Sequence, residues 1–156
     1  GSGLVGSEMC IRDRLIGLII MGTSNVLITF LATGAQASNE MGVQTMIHGA
    51  PLASFLAAGI LAPIIEELTF RKSFFDALKN KWLFILTSGL IFGGLHVISA
   101  TSWQDFLFII PYSSLGVAFA AMVYNRKNIL TSISMHMIHN VALILLSIAT
   151  MAVILL

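Results

Sequence analysis

Charge is what this 156-residue chain has least of: Asp, Glu, Lys and Arg make up 10% of it against 57% hydrophobic residues, and the mean hydropathy is +0.94. A soluble domain carries roughly a quarter of charged residues, so this composition excludes one and specifies an integral membrane protein. The net charge of +1 leaves no basic face for nucleic acid. Cysteine is nearly absent too. The one residue, Cys10, lies within the first fourteen positions, so neither a disulfide framework nor thiol chemistry is available to the rest of the chain. No His-Glu-x-x-His signature occurs, and a zinc site would have to be assembled across helices. No internal repeat or separate soluble domain is evident.

The segment Ser7-Glu8-Met9-Cys10-Ile11-Arg12-Asp13-Arg14 reads as a translated sequencing adaptor, and the Gly- and Ser-rich residues before it look no more native. Residues 1–14 are therefore set apart from the body of the chain, 15–156. The expectation is that this body is truncated at its N-terminus and lacks one or more preceding helices.

The body divides into apolar stretches separated by short polar punctuation, and a bilayer core requires roughly 20 apolar residues per helix. The pattern predicts an all-α, polytopic transmembrane bundle of about five helices. The first spans about 15–35 and is followed by a polar loop with Gln36, Ser38, Asn39, Glu40, Gln44 and His48. The second spans about 51–77, with Pro51 suited to its first turn. Within it Pro63 removes a backbone hydrogen bond, which bends the helix and exposes a carbonyl just before Glu66 and Glu67. The third spans about 81–98, and the fourth about 105–124 with Pro111 as a kink point. The last, 128–156, is too long for one perpendicular span and is expected to be tilted or broken. Gly89, Gly93, Gly94, Ser113, Ser114, Gly116 and Ala118 permit close helix approach, the usual means of packing where lipid supplies no hydrophobic drive.

The basic residues orient this bundle. Arg71, Lys72, Lys79 and Lys81 flank the connection between the second and third helices, and Arg126 and Lys127 flank that between the fourth and fifth. By the positive-inside rule both connections are cytoplasmic, which places Glu66 and Glu67 toward the cytoplasmic half. His96 lies toward the other end of the third helix, so a tilt or a water-filled cavity must bring it near the glutamates.

Ionisable groups at membrane depth are functional-site candidates, because each charge costs about 2.5 kcal/mol or more to insert. Three constellations qualify: Glu66-Glu67 with Arg71, Phe92 with His96, and His136 with His139 and Asn140. Residues four apart share a helical face, so Glu67 pairs with Arg71 while Glu66 points about 100° away. One glutamate is then free to be a base. The purely structural alternative is that both pair with Arg71 and Lys72 at an interfacial helix end. Phe92 and His96 share a face, as do His136 and Asn140. An imidazole beside an amide can hold a water, a metal or a developing oxyanion, or simply bond to a neighbouring helix. The conjunction carries the argument. A carboxylate plus two imidazoles on three helices is a water-activating set, usable with or without a metal.

In order and rough spacing the three constellations resemble the motifs of the CAAX-protease and bacteriocin-processing (CPBP) intramembrane proteases, which include the type II CAAX prenyl endopeptidases. Glu-Glu-x-x-x-Arg matches Glu66 to Arg71, Phe-x-x-x-His matches Phe92 to His96, and His-x-x-x-Asn matches His136 to Asn140. The likeness covers about 51–146. It implies an intramembrane endopeptidase around a polar cavity open to the cytoplasm, in the bacterial cytoplasmic membrane. Its substrate would be a membrane-associated protein or peptide, prenylated CAAX-type chains included, met within the lipid bilayer. By the same resemblance Glu66 activates the attacking water with His96, Glu67 supports the site with Arg71, and His136 with Asn140 stabilises the oxyanion. Phe92 supports His96 by packing. The cofactor is left open between a divalent metal such as zinc, with Glu66, His96 and His136 as candidate ligands, and none. His139 offers a further imidazole, as an extra ligand or in packing. Two other readings use the same residues: a non-enzymatic immunity or scaffold protein of this fold, and an ion or proton transporter, which inverted repeats would favour.

Overall fold

The computed structural model describes residues 2–31 and 36–154, and every element in them is helical. The first helix, α1, is Ser2–Leu31 and runs continuously through the segment set apart above into the body of the chain. The predicted end of that helix at 32–35, the last two positions at 155–156 and the Cys10 side chain lie outside the described residues. Then come α2 (Ser38–Gly49), α3 (Pro51–Ala77), α4 (Lys81–His96), α5 (Trp103–Arg126) and α6 (Ile129–Ile154). Among the described residues α3, α5 and α6 are long and apolar enough to cross a membrane, and α1 adds a shorter apolar stretch, Leu15–Leu31. Large apolar side chains such as Phe30 and Val153 face outward, 80% and 73% exposed. A soluble protein would bury them, whereas a bilayer solvates them.

One element differs in kind from the expectation, while α4 ends two residues sooner than expected and α5 extends two residues further at each end. The polar stretch after α1 is not a loop but the helix α2, with Glu40 in its first turn and His48 in its last, where acid and base suit the helix dipole. The α6 helix runs unbroken for 26 residues, about 39 Å at 1.5 Å per residue, so it exceeds the bilayer core by tilt or protrusion.

Each internal proline leaves a mark on backbone pairing. Pro111 has no N–H to offer the Leu107 carbonyl, which accepts instead from Ile110 at 3.1 Å, and the α5 helix tightens at that turn. In α3 the stretch Phe55–Leu61, just before Pro63, adopts the wide π spacing, in which the Ala62 N–H donates to Ala57 five residues back. A second wide stretch, Leu68–Lys72, follows the glutamates and includes Arg71.

Small residues set the packing of α4 on α5. A Cβ built at Gly89 would lie 2.7 Å from the Val117 nitrogen, and one at Gly116 would lie 2.9 Å from the Gly89 carbonyl. Gly17 of α1 meets Ala118 in the same manner. Gly94 is different, since among the described residues a Cβ built there meets no atom of another helix within 4 Å. Around these contacts Phe84, Ile85, Ala120 and Val123 form one buried cluster and Leu115, Phe119 and Met122 another.

The two basic connections meet in space. The Lys127 ammonium, from the turn between α5 and α6, lies 5.0 Å from the Phe75 ring of α3, and Lys81 of α4 lies 5.5 Å from Tyr124 of α5. The cations of both connections therefore gather at one end of the bundle.

Candidate active site

Glu66 and Glu67 sit in mid-helix on α3, and the 100° between successive residues separates their surroundings. Glu67 is fully buried. Its Oε2 lies 3.3 Å from Arg71 Nε one turn on, and its Oε1 lies 3.0 Å from His136 Nδ1 of α6. A carboxylate accepts, so His136 donates from Nδ1 and turns Nε2 toward Glu66, whose Oε2 is 3.7 Å away. Glu66 keeps 27% of its side chain accessible and lines the cavity. The 3.7 Å separation exceeds a direct hydrogen bond but is one that a water or substrate oxygen can bridge.

Arg71 is buried with Glu67, and aromatic faces take up what the carboxylate does not. Its guanidinium carbon lies 4.4 Å from the Phe92 centroid and 5.8 Å from that of Phe119, while Nη2 donates to the Gly116 carbonyl at 3.3 Å. Phe119 also stacks on the His136 ring at 4.8 Å and 27°. The position of Phe92 is fixed in turn by an edge-on contact with Phe70 at 5.9 Å.

His96 ends α4. That helix has 16 residues, about 24 Å, shorter than a hydrocarbon core of roughly 30 Å. The ring lies 4.4 Å from Phe92 and 4.7 Å from Tyr112 of α5. His96 Nδ1 is 2.9 Å from the Phe92 carbonyl. A carbonyl only accepts, so the neutral imidazole carries its proton on Nδ1 and keeps Nε2 as the acceptor.

Glu66, His96, His136, His139 and Asn140 all line one cavity of about 730 Å³, together with Phe92 and Tyr112. Glu67 and Arg71 stand behind its wall. The Asn140 amide donates to the Ala58 carbonyl of α3 at 2.9 Å, which ties α6 to α3. The α2 helix forms another wall through Asn39, Glu40, Gln44 and Ile47. It is fastened at its start by Asp105, which accepts from the Ser38 nitrogen at 3.0 Å and from the Ser38 hydroxyl, and midway along by Ser147, which donates to Gln44 at 2.5 Å.

The sequence motifs do not single out Tyr112, Gly116 or Phe119, which contact His96, Arg71 and His136. A signal for them exists, since spacings of four and three residues put all three on one face of α5. Among the described residues no three His, Cys, Asp or Glu side chains converge as a metal-holding group, so Glu66, His96 and His136 as placed do not fit a bound zinc ion.

An all-helical membrane bundle with carboxylate, guanidinium and imidazole groups gathered at one cavity defines a class of intramembrane protein built around ionisable groups. The family model described as type II CAAX prenyl endopeptidase Rce1-like matches residues 48–142, and the chain belongs to that family and has its membrane-protease fold. The "Putative membrane peptidase YdiL" of Bacillus subtilis (strain 168) is 29% identical over 116 residues, covering 72% of this chain and 44% of that protein. The UPF0177 protein YaiF of Lactococcus lactis is 34% identical over 111 residues, covering 69% and 47% respectively. A second lactococcal protein, UPF0177 protein YxdF, is 27% identical over 128 residues and is covered to 69%. The chain thus spans a little under half the length of the first two curated relatives. No solved structure matches the chain significantly.

Proposed function

We propose that this chain carries the catalytic core of an intramembrane endopeptidase that cleaves membrane-associated proteins or peptides, prenylated CAAX-type chains among them. The observation that supports this reading is the convergence of Glu66, His96, His136 and Asn140 on one cavity, with Glu67 and Arg71 buried behind them. In this mechanism a water held by Glu66 and by His96 Nε2 attacks the scissile carbonyl carbon. Its proton passes to the Glu66 carboxylate as the new C–O bond forms. The oxyanion that develops is stabilised by the Asn140 amide and by the His136 ring, whose Nδ1 is held by Glu67. Glu66 then returns the proton to the leaving amine as the C–N bond breaks. Glu67 and Arg71 act by fixing the His136 ring.

The proposed location is the bacterial cytoplasmic membrane, with the cavity toward the cytoplasm. The gathering of Lys81 and Lys127 at one end of the bundle supports that orientation.

The test is to incubate the purified full-length protein with a membrane peptide library and identify new termini by mass spectrometry. New termini that vanish with Glu66→Gln are the expected result. Termini that persist in Glu66→Gln would exclude Glu66 as the base, and none with the wild type would favour a non-enzymatic immunity or scaffold role.

A further inference from the structure

We propose that Pro63 is a positioning residue for Asn140: by withholding a backbone N–H it keeps the Ala58 carbonyl free as the anchor that aims the Asn140 amide into the cavity. The proposal rests on the reading of Asn140 as an oxyanion donor. Two backbone donors could ordinarily reach the Ala58 carbonyl. The α partner is the Ala62 N–H, and it is turned to Ala57 by the wide spacing of Phe55–Leu61. The π partner would be the N–H of residue 63, and residue 63 is proline. With neither available, the Ala58 carbonyl accepts from Asn140 Nδ2 at 2.9 Å across the helix interface. A primary amide has two N–H groups, so one fixed on Ala58 sets the direction of the other. Ala58, Ala62, Glu66 and Asn140 all line the cavity. The anchor and the proposed base therefore lie along one face of α3.

Any other residue at 63 removes this arrangement by one of two routes. In the wide register its own N–H reaches Ala58, and if the turn tightens to ordinary α spacing the Ala62 N–H does so. Either way the carbonyl turns back along the helix axis toward its own helix, whereas a free carbonyl tilts outward to a lateral partner.

The experiment compares the full-length wild type with Pro63→Ala, Asn140→Ala and the double variant. Pro63→Ala is expected to lower kcat about tenfold or more with KM unchanged. Its Tm in detergent stays level or rises, because a helix-interior proline has been replaced by a better helix former. In the Asn140→Ala background the same change adds no further loss. A merely structural proline predicts the reverse: a lowered Tm and unchanged kcat per folded molecule. Wild-type turnover by Pro63→Ala, or losses that multiply in the double variant, overturns the proposal.

A second measurement does not depend on activity. In protein labelled at asparagine side chains, the Asn140 signal is assigned by its disappearance in Asn140→Ala. It should show one exchange-protected amide proton in the wild type and none in Pro63→Ala, whereas equal protection in both overturns the proposal. If the wild type cleaves nothing, the kinetic comparison falls with the protease reading, while the amide-proton comparison still decides whether Pro63 positions Asn140.

Discussion

Glu67 and Asp105 are both withdrawn from solvent, 0% and 6% exposed, yet their partners differ in kind. Asp105 accepts from neutral donors: the Ser38 nitrogen and hydroxyl and the Thr101 nitrogen at 3.2 Å. Those bonds join the start of α2 to the turn before α5, and each is made with an uncharged donor. Glu67 is held instead between Arg71 and His136, and His136 in turn faces Glu66 and the cavity. A carboxylate surrounded by fixed neutral dipoles is a fastening. A carboxylate between a cation and an imidazole sets where a neighbouring proton can sit, which is what acid–base chemistry requires.

The largest expected effect falls on the cavity side of this contrast. Glu66→Gln should lower turnover by a factor of about 10² to 10⁴ on a confirmed substrate, with Tm unmoved, because glutamine keeps the shape but accepts no proton. Cleavage at the wild-type rate would leave Glu66 no part in water activation. Next comes Arg71→Met, which leaves Glu67 buried without its cation and should cost about 3–5 kcal/mol of stability, read from denaturation in detergent. A loss under about 1 kcal/mol would mean that His136 alone suffices as its partner. For Asp105→Asn the expectation is a stability loss of about 1–3 kcal/mol with kcat per folded molecule unchanged, since an amide N–H₂ then opposes the Ser38 donors. A fall in kcat would erase the distinction between fastening and chemistry. Least affected is Lys72→Ala: the Lys72–Asp76 pair is more than half exposed on both sides, and its removal should move stability by no more than about 0.5 kcal/mol.

Hydropathy made the helices at α3, α5 and α6 legible, and four-residue spacing made the Glu67–Arg71 pair legible, because both are local properties of the chain. The links that turn these residues into a site are not local. His136 meets Glu67 across 69 positions and Asn140 meets Ala58 across 82, and a single sequence carries no signal for such pairs. The α2 helix was hidden for another reason. Its Gln, Asn and Glu residues read as loop chemistry, but Asn39, Glu40 and Gln44 line the same cavity as Glu66, His96 and His136. The reach of His96 was open from spacing alone, and its place on the cavity beside Phe92 and Tyr112 decides it.

The close approach of α4 to α5 gives the protein a vulnerable point away from its reacting groups. A Cβ at Gly93 would lie 2.6 Å from the Ser113 nitrogen, a backbone atom that cannot step aside as a flexible side chain could. One helical turn further on is His96, whose ring is held against Tyr112 on that same partner helix. A single added methyl would therefore wedge the two helices apart at the place that sets the depth and angle of the imidazole. In a mutational scan scored by activity, position 93 should sort with the motif residues while touching no substrate, and its lesion should be relieved by a shift in α5 rather than by any change of chemistry in the cavity.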